Sequence, residues 1–158
     1  MNRRNILRLS AMTTFGLALL PANAVAQQAD MDGVKAASKA FYAALAILDS
    51  GEAMEKVWAH TNYVTYVGPR AKSIIVGWEG QRKYWVDTNK LFAQRNVTLG
   101  DQHIHVNGNL AWEMGQETGQ VKMKDGSTPV TDYIATNVYE KIDGRWLMVS
   151  HHVQPKPQ

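Results

Sequence analysis

Three turn signals divide the last sixty residues of this chain into four runs, and no other feature of the sequence constrains the fold as tightly. Asn107-Gly108-Asn109, Lys124-Asp125-Gly126 and Asp143-Gly144 separate segments at about Asn96–Val106, Leu110–Lys122, Pro129–Lys141 and Arg145–Gln154. Asn-Gly and Asp-Gly pairs favour tight hairpins because both turn positions need positive φ. Four strands joined this way form an antiparallel meander. Such a sheet has to bury one face, and the material to cover it lies upstream.

Upstream the pattern changes period. Val34, Ala37, Phe41, Ala44, Leu45 and Leu48 recur at spacings of three and four, which predicts a helix from Val34. Asp32 is its expected cap, and Gly51 lies just past its end. Gln27–Asp32 is polar and reads as a loose lead-in, so residues 27–33 are expected to be flexible. A short second helix is expected over Glu52–Ala59, with Met54, Val57 and Trp58 inward. Tyr63–Val67 reads as a strand closed by Gly68-Pro69, and Ser73–Val76 as a second short strand. Gly77 then opens a third helix to about Phe92. Helices first and hairpin-linked strands after imply an α+β fold, with helices on one face of an antiparallel sheet. Cysteine is absent, which excludes disulfides, thiolate metal sites and cysteine nucleophiles.

The first 26 residues read differently from the rest. Arg3, Arg4 and Arg8 precede an apolar run from Leu9 to Leu20, and Ala24-Val25-Ala26 closes it. A positive start, a short apolar middle and an A-x-A exit are the parts of a secretory signal. The run is too short to span a bilayer core of ~30 Å as a helix rising about 1.5 Å per residue. Residues 1–26 are therefore expected to be cleaved near Ala26, leaving a periplasmic or secreted protein; a buried N-terminal helix is the other reading. Arg3-Arg4 also resembles the start of a twin-arginine export signal, while an ordinary general-secretion leader fits equally. The chain has 17 Lys+Arg and 14 Asp+Glu, and cleavage removes three arginines and no acid. The remainder is close to neutral. It shows no basic footprint for nucleic acid or for an anionic membrane. The rest of the chain suffices for one domain, over residues 34–155, with 156–158 as a tail.

The run Thr136-Asn137-Val138-Tyr139-Glu140-Lys141-Ile142-Asp143-Gly144-Arg145-Trp146-Leu147-Met148-Val149-Ser150-His151-His152 has a familiar form: an Asp-Gly-Arg-Trp hairpin feeding a strand that ends in paired histidines. Gly77-Trp78-Glu79-Gly80 and Gly108-Asn109-Leu110-Ala111-Trp112 support it. On these residues the chain resembles the NTF2-like superfamily, in its SnoaL-like (DUF4440) branch, from about Val34 to Pro155. The resemblance implies a curved antiparallel sheet wrapped around N-terminal helices to form a cone with an internal pocket, usually paired as a homodimer. It implies no single activity, since relatives include isomerases, cyclases, dehydratases and association domains.

Ketosteroid isomerase, the best-understood enzyme of this superfamily, needs an aspartate base and a tyrosine with a protonated acid as oxyanion donors. The base position falls on Gly68, before Pro69, and carries no side chain. The tyrosine position falls on Phe41, with Tyr42 one step away, and the acid position falls near Thr136 or Asn137. That apparatus is absent as such.

Other polar residues could serve instead. Simple alternation puts Trp146, Met148, Ser150 and His152 on one face of the last strand, and Leu147, Val149, His151 and Val153 on the other. The second histidine of the pair commonly matters in relatives, so His152 is the expected pocket residue. An imidazole of ordinary pKa ~6.5 exchanges protons near neutrality; a histidine bonded to a neighbouring strand or buried in a dimer contact is the alternative. Glu113 shares a face with Ala111 and Gly115, whose small side chains leave room for a ligand. It is expected either as a pocket acid or base, or as an edge charge paired with Lys or Arg. His60 falls near the pocket mouth in relatives, or sits at a helix end where the dipole favours it. Trp58, Tyr63, Trp78, Tyr133 and Trp146, with Asn137, are the expected ligand-binding set; the same aromatic residues suit a dimer interface.

The expected partner is therefore a small apolar or aromatic molecule, with catalysis open. A metal-independent isomerase, dehydratase or hydrolase using His152 and Glu113 is one alternative, and a non-catalytic homodimeric interaction domain is another. His103-Ile104-His105 has metal-binding spacing on one strand face, but Glu113 lies too far along to complete a set, so neither metal nor cofactor is expected. There is no Gly-x-Ser-x-Gly elbow and no phosphate or dinucleotide loop.

Overall fold

The computed structural model of the chain describes residues 22–156. Three helices, α1 (Ala22–Ala46), α2 (Glu52–Glu55) and α3 (Trp78–Asn89), accompany six strands: β1 (Thr65–Val67), β2 (Ile75–Val76), β3 (Phe92–Asn107), β4 (Leu110–Met123), β5 (Val130–Ile142) and β6 (Arg145–Pro155). One curved, open sheet holds all six in the order β2-β1-β6-β5-β4-β3. Every pairing is antiparallel except β1 with β6, which is parallel. The α+β reading and the meander hold. The turn at Asp143-Gly144 has positive φ at both positions, 49° and 76°, as its two-residue hairpin requires.

Helix α1 lies against β3 and β6 inside the curve of the sheet. Its buried stripe is Val34, Ser38, Phe41, Tyr42 and Leu45, which follows the expected spacing but includes two hydroxyls. A Cβ on Gly33 would stand 2.6 Å from Trp146 Cδ1, so glycine is what lets the helix rest on that indole. Phe41, Trp58, Trp85, Tyr139 and Met148 are fully buried at the centre of the core.

Several boundaries differ from the sequence expectation. The helix does not begin at Val34: it includes residues 27–33, and Asp32 is an interior position rather than a cap. Gln27, Gln28, Ala29 and Met31 are good helix formers. Asp30 also bonds Lys141 at 2.5 Å, and Gln28 bonds Asp32 at 3.0 Å. Most of the expected export leader lies outside the described residues. Helix α2 stops at Glu55, because Trp58 leaves the helical path to make a bridge with Met148 of β6. Helix α3 ends at Asn89 and Phe92 already opens β3, so that strand starts four residues earlier than its turn signals suggest. No described helix is long and apolar enough to cross a membrane.

The most consequential difference lies in β6. Val138 pairs with Ser150 and Tyr139 with Met148, which leaves Val149 as an extra residue between them. A bulge of one residue reverses every side chain beyond it. Trp146 and Met148 are buried before the bulge, and His151 and Val153 after it. His152, expected inside, faces outward and is exposed.

Candidate functional site

The reversed alternation brings His151 into the cone beside residues from four other elements. Its ring stacks on Tyr66 of β1, with centroids 5.3 Å apart, and leans on Phe41 of α1 at 5.0 Å. The parallel β1–β6 pairing sets Tyr66 directly beside it. Its Nδ1 lies 2.6 Å from Asn137 Oδ1 on β5. Asn137 Nδ2 donates to Glu113 Oε1 at 2.8 Å and, more weakly, to the Tyr42 hydroxyl at 3.4 Å. The bond to a carboxylate fixes which end of the amide is nitrogen. Asn137 Oδ1 is therefore an acceptor, so His151 Nδ1 carries the proton and donates. The Nε2 lone pair is left facing Glu117 Oε2, 3.8 Å away. Tyr42 closes the ring by donating to the same Glu117 oxygen at 3.2 Å.

Across that gap His151 is neutral at neutral pH and Glu117 is only partly ionised. Burial in an apolar setting pushes the Glu117 carboxyl up to about 7, against the opposing pull of the Tyr42 hydrogen bond and the Arg95 charge. Burial pulls His151 down to about 3, helped by the neighbouring His152. The 3.8 Å approach is thus a contact of a neutral imidazole with a carboxyl at its titration point, not an ion pair. Tyr42, Tyr66 and Tyr139 are held protonated, chiefly by burial.

Glu117, His151, Tyr66, Tyr84, Phe92 and Arg95 line a cavity of about 280 Å3. Arg70, Pro129, Val130 and Tyr133 form more of its wall. Arg95 is only 7% exposed. Its Nε donates to the Leu45 carbonyl at 2.6 Å and its Nη2 to Asn89 Oδ1 at 2.9 Å, and its guanidinium lies 4.6 Å above the Phe92 ring. A planar guanidinium stacked and bonded in this way is held in one orientation.

The expected site residues divide clearly. Tyr133 lines the cavity. Asn137 stands behind it as the support of His151. Glu113 is fully buried on the anticipated face, but it is not part of the cavity wall: it accepts from Asn137, from Tyr139 at 2.5 Å and from Gln102 at 3.0 Å. Trp58 lies deeper, edge-on to Tyr66 and Phe41. Trp146 is buried under α1, near Gly33. His60 and Trp78 stack on each other at 4.3 Å, outside the cavity. Tyr63 is half exposed and donates to Glu140. His103 and His105 are exposed on the outer face of β3, with His105 against Trp112. Among the described residues no three His, Cys, Asp or Glu side chains gather as a metal site.

Gly68 marks more than a missing base. A Cβ there would fall on the Tyr66 hydroxyl, so the space a catalytic aspartate would need is filled by a phenol. Glu117 and Arg95 are the functional candidates that sequence reasoning missed. Glu117 was accessible to it, two residues beyond Gly115 on the Glu113 face. Arg95 fell between the expected end of a helix and the expected start of a strand, so it had no assigned face.

This geometry, a helix-filled curved sheet with a polar-ended cavity, defines an NTF2-like cone. Solved structures share this fold. The chain is similar to a candidate dehydratase of the NTF2-like family from Streptomyces avermitilis, with 21% identity over 83% of this chain and 99% of that one and a TM-score of 0.73. It is also similar to a candidate aromatic ring hydroxylase from Novosphingobium aromaticivorans, at 13% identity over 83% and 92%, TM-score 0.75. A candidate calcium/calmodulin-dependent protein kinase type II association domain from Thiobacillus denitrificans matches at 25% identity over 78% and 94%, TM-score 0.65. Residues 34–154 match the model of the SnoaL-like domain, and the chain belongs to that family. No curated protein matches its sequence.

Proposed function

We propose that this protein is exported and binds a small apolar or aromatic molecule in the cavity between α1, α3 and the inner face of the sheet. The observation that carries this is the cavity itself: about 280 Å3, aromatic along much of its wall, with Glu117, Arg95 and His151 at its polar end. Mostly apolar pockets with a few convergent polar groups are the usual form of a small-molecule site. Native mass spectrometry of protein purified from the periplasm tests it directly. The expected result is a co-purified small molecule, or a thermal shift with members of an apolar library. Ligand-free protein with no shift across the library would reject the pocket reading.

A second reading extends the first: a metal-independent acid–base enzyme of isomerase, dehydratase or hydrolase type. Glu117 favours it, because a cavity carboxyl near 7 both gives and takes protons at neutral pH. It would replace the pair His152 and Glu113, neither of which reaches the cavity. Homodimer formation is proposed for the outer face of β4, where Trp112 and Met114 are 40% and 45% exposed. A paired apolar face of this kind is often an interface.

A further inference from the structure

Arg95 is a buried cation whose counter-charge the protein does not supply in contact. Among the described residues no carboxylate lies within the 4 Å that would make an ion pair with it. Its five N–H groups have two acceptors in the fold, Leu45 O and Asn89 Oδ1. Nη1 and the second hydrogen of Nη2 have no acceptor among the described residues, and Arg95 lines the cavity. Burying a guanidinium without a partner is costly, and the remaining donors form the edge that matches a carboxylate in a two-bond fork. Arg70 adds a second positive charge to the same wall. The acid in the cavity wall is Glu117, which accepts from Tyr42 at Oε2 and makes no ion pair with Arg95. The rest of the wall is apolar, with the rings of Tyr66, Tyr84, Phe92 and Tyr133 beside aliphatic side chains such as Leu45, Val97 and Val121. A cavity of ~150 Å3 admits benzene, so this one has room for a single ring and a carboxylate arm.

We infer that the ligand of this cavity is a small aryl monocarboxylate, its carboxylate held by Arg95 and its ring by Tyr66, Tyr84 and Phe92. The inference rests on the pocket reading above and narrows it. Glu117 bonds Tyr42 of α1 behind the cavity and shares its wall with the titratable and charged groups Tyr66 of β1, Arg70, Tyr84 of α3, Arg95 of β3, Tyr133 of β5 and His151 of β6. Protonated, Glu117 donates a hydrogen bond to the bound anion; ionised, it repels it. Binding therefore weakens as pH rises through about 7.

Calorimetric titration of the purified protein with benzoate, phenylacetate, benzamide and benzyl alcohol tests this. Benzoate or phenylacetate is expected to bind at least tenfold more tightly than the uncharged pair at pH 6, and several-fold more tightly at pH 6 than at pH 8. Glu117→Gln is expected to remove the pH dependence, and Arg95→Met to remove the preference for the anion while sparing benzamide. The comparison of ligands on the unaltered protein decides the matter even if Arg95→Met does not fold. Uncharged ligands binding as well as the anions would overturn the carboxylate inference and leave the pocket reading standing. No binding by any of the four, together with no shift across the apolar library, would overturn both.

Discussion

Replacing Glu117 by Gln should make the protein more stable, and by an amount set by pH. The folded carboxyl titrates at about 7 against an ordinary value of 4.5. In the unfolded chain the group ionises above 4.5, while the fold holds its proton until about 7. Folding stability is therefore lost as pH rises through that window, and the loss is complete above 7. At about 1.4 kcal/mol per pH unit the ionised form costs the fold about 3 kcal/mol at pH 8.5. Glutamine has nearly the same shape, keeps an oxygen for the Tyr42 hydroxyl and carries no charge. Urea unfolding at pH 8.5 should show the Glu117→Gln midpoint raised by about 1–3 M, for an m-value of ~1–3 kcal/mol/M. Below pH 4.5 the two proteins should unfold together. A variant no more stable than the parent at pH 8.5 would mean that Glu117 is hydrated or ion-paired in the fold, and the reasoning would fail.

Further outcomes follow from the same geometry. His152→Ala should change stability by no more than about 0.5 kcal/mol, as exposed positions usually do, and leave ligand affinity intact. His151→Ala should cost about 2 kcal/mol or more by orphaning Asn137; equal effects of the two in urea unfolding would argue against the bulge. His151 is neutral in the fold down to about 3, and its loss of stability below pH 6.5 is offset by Glu117 down to about 4.5, so it is Glu117→Gln that should lose stability from pH 6.5 downward, in melting scans from pH 7 to 3.5. Gly68→Asp, which restores an acid at the isomerase position, should destabilise by more than 1 kcal/mol because the Tyr66 ring must move; isomerase activity gained without a drop in melting temperature would contradict this. Trp112→Asp should convert a dimer to a monomer in size-exclusion chromatography with light scattering, and a parent protein that is monomeric at every concentration would refute the proposed interface. Export should fall when Arg3 and Arg4 become lysines if the leader is of twin-arginine type, while unchanged export would leave an ordinary leader.

The sheet was legible because its turns carry their own chemistry. Asp143-Gly144 and Gly108 adopt the positive φ that their residue types favour, and the strands between follow. The inner face of β4 was legible too, and Glu113 lies where alternation puts it. The site was not, for two physical reasons. A bulge inserts a residue without any signal in β-branched content or polarity, so Val149 looks like any strand valine while it exchanges the places of His151 and His152. The other reason is that long-range contacts decide which polar side chains share a cavity. Arg95 reaches Leu45 and Asn89 across the fold, and no spacing within one segment reports that. Helix α1 gained its extra turns in the same way, through the Asp30–Lys141 contact with β5.

The most direct test of the account is a carbon-13 NMR titration of the Glu117 side-chain carboxyl, assigned by comparison with Glu117→Gln. A midpoint near 7 is expected in the free protein, moving upward when benzoate fills the cavity, because an anion beside a carboxyl disfavours its ionisation. A midpoint near 4.5 that benzoate leaves unchanged would contradict it.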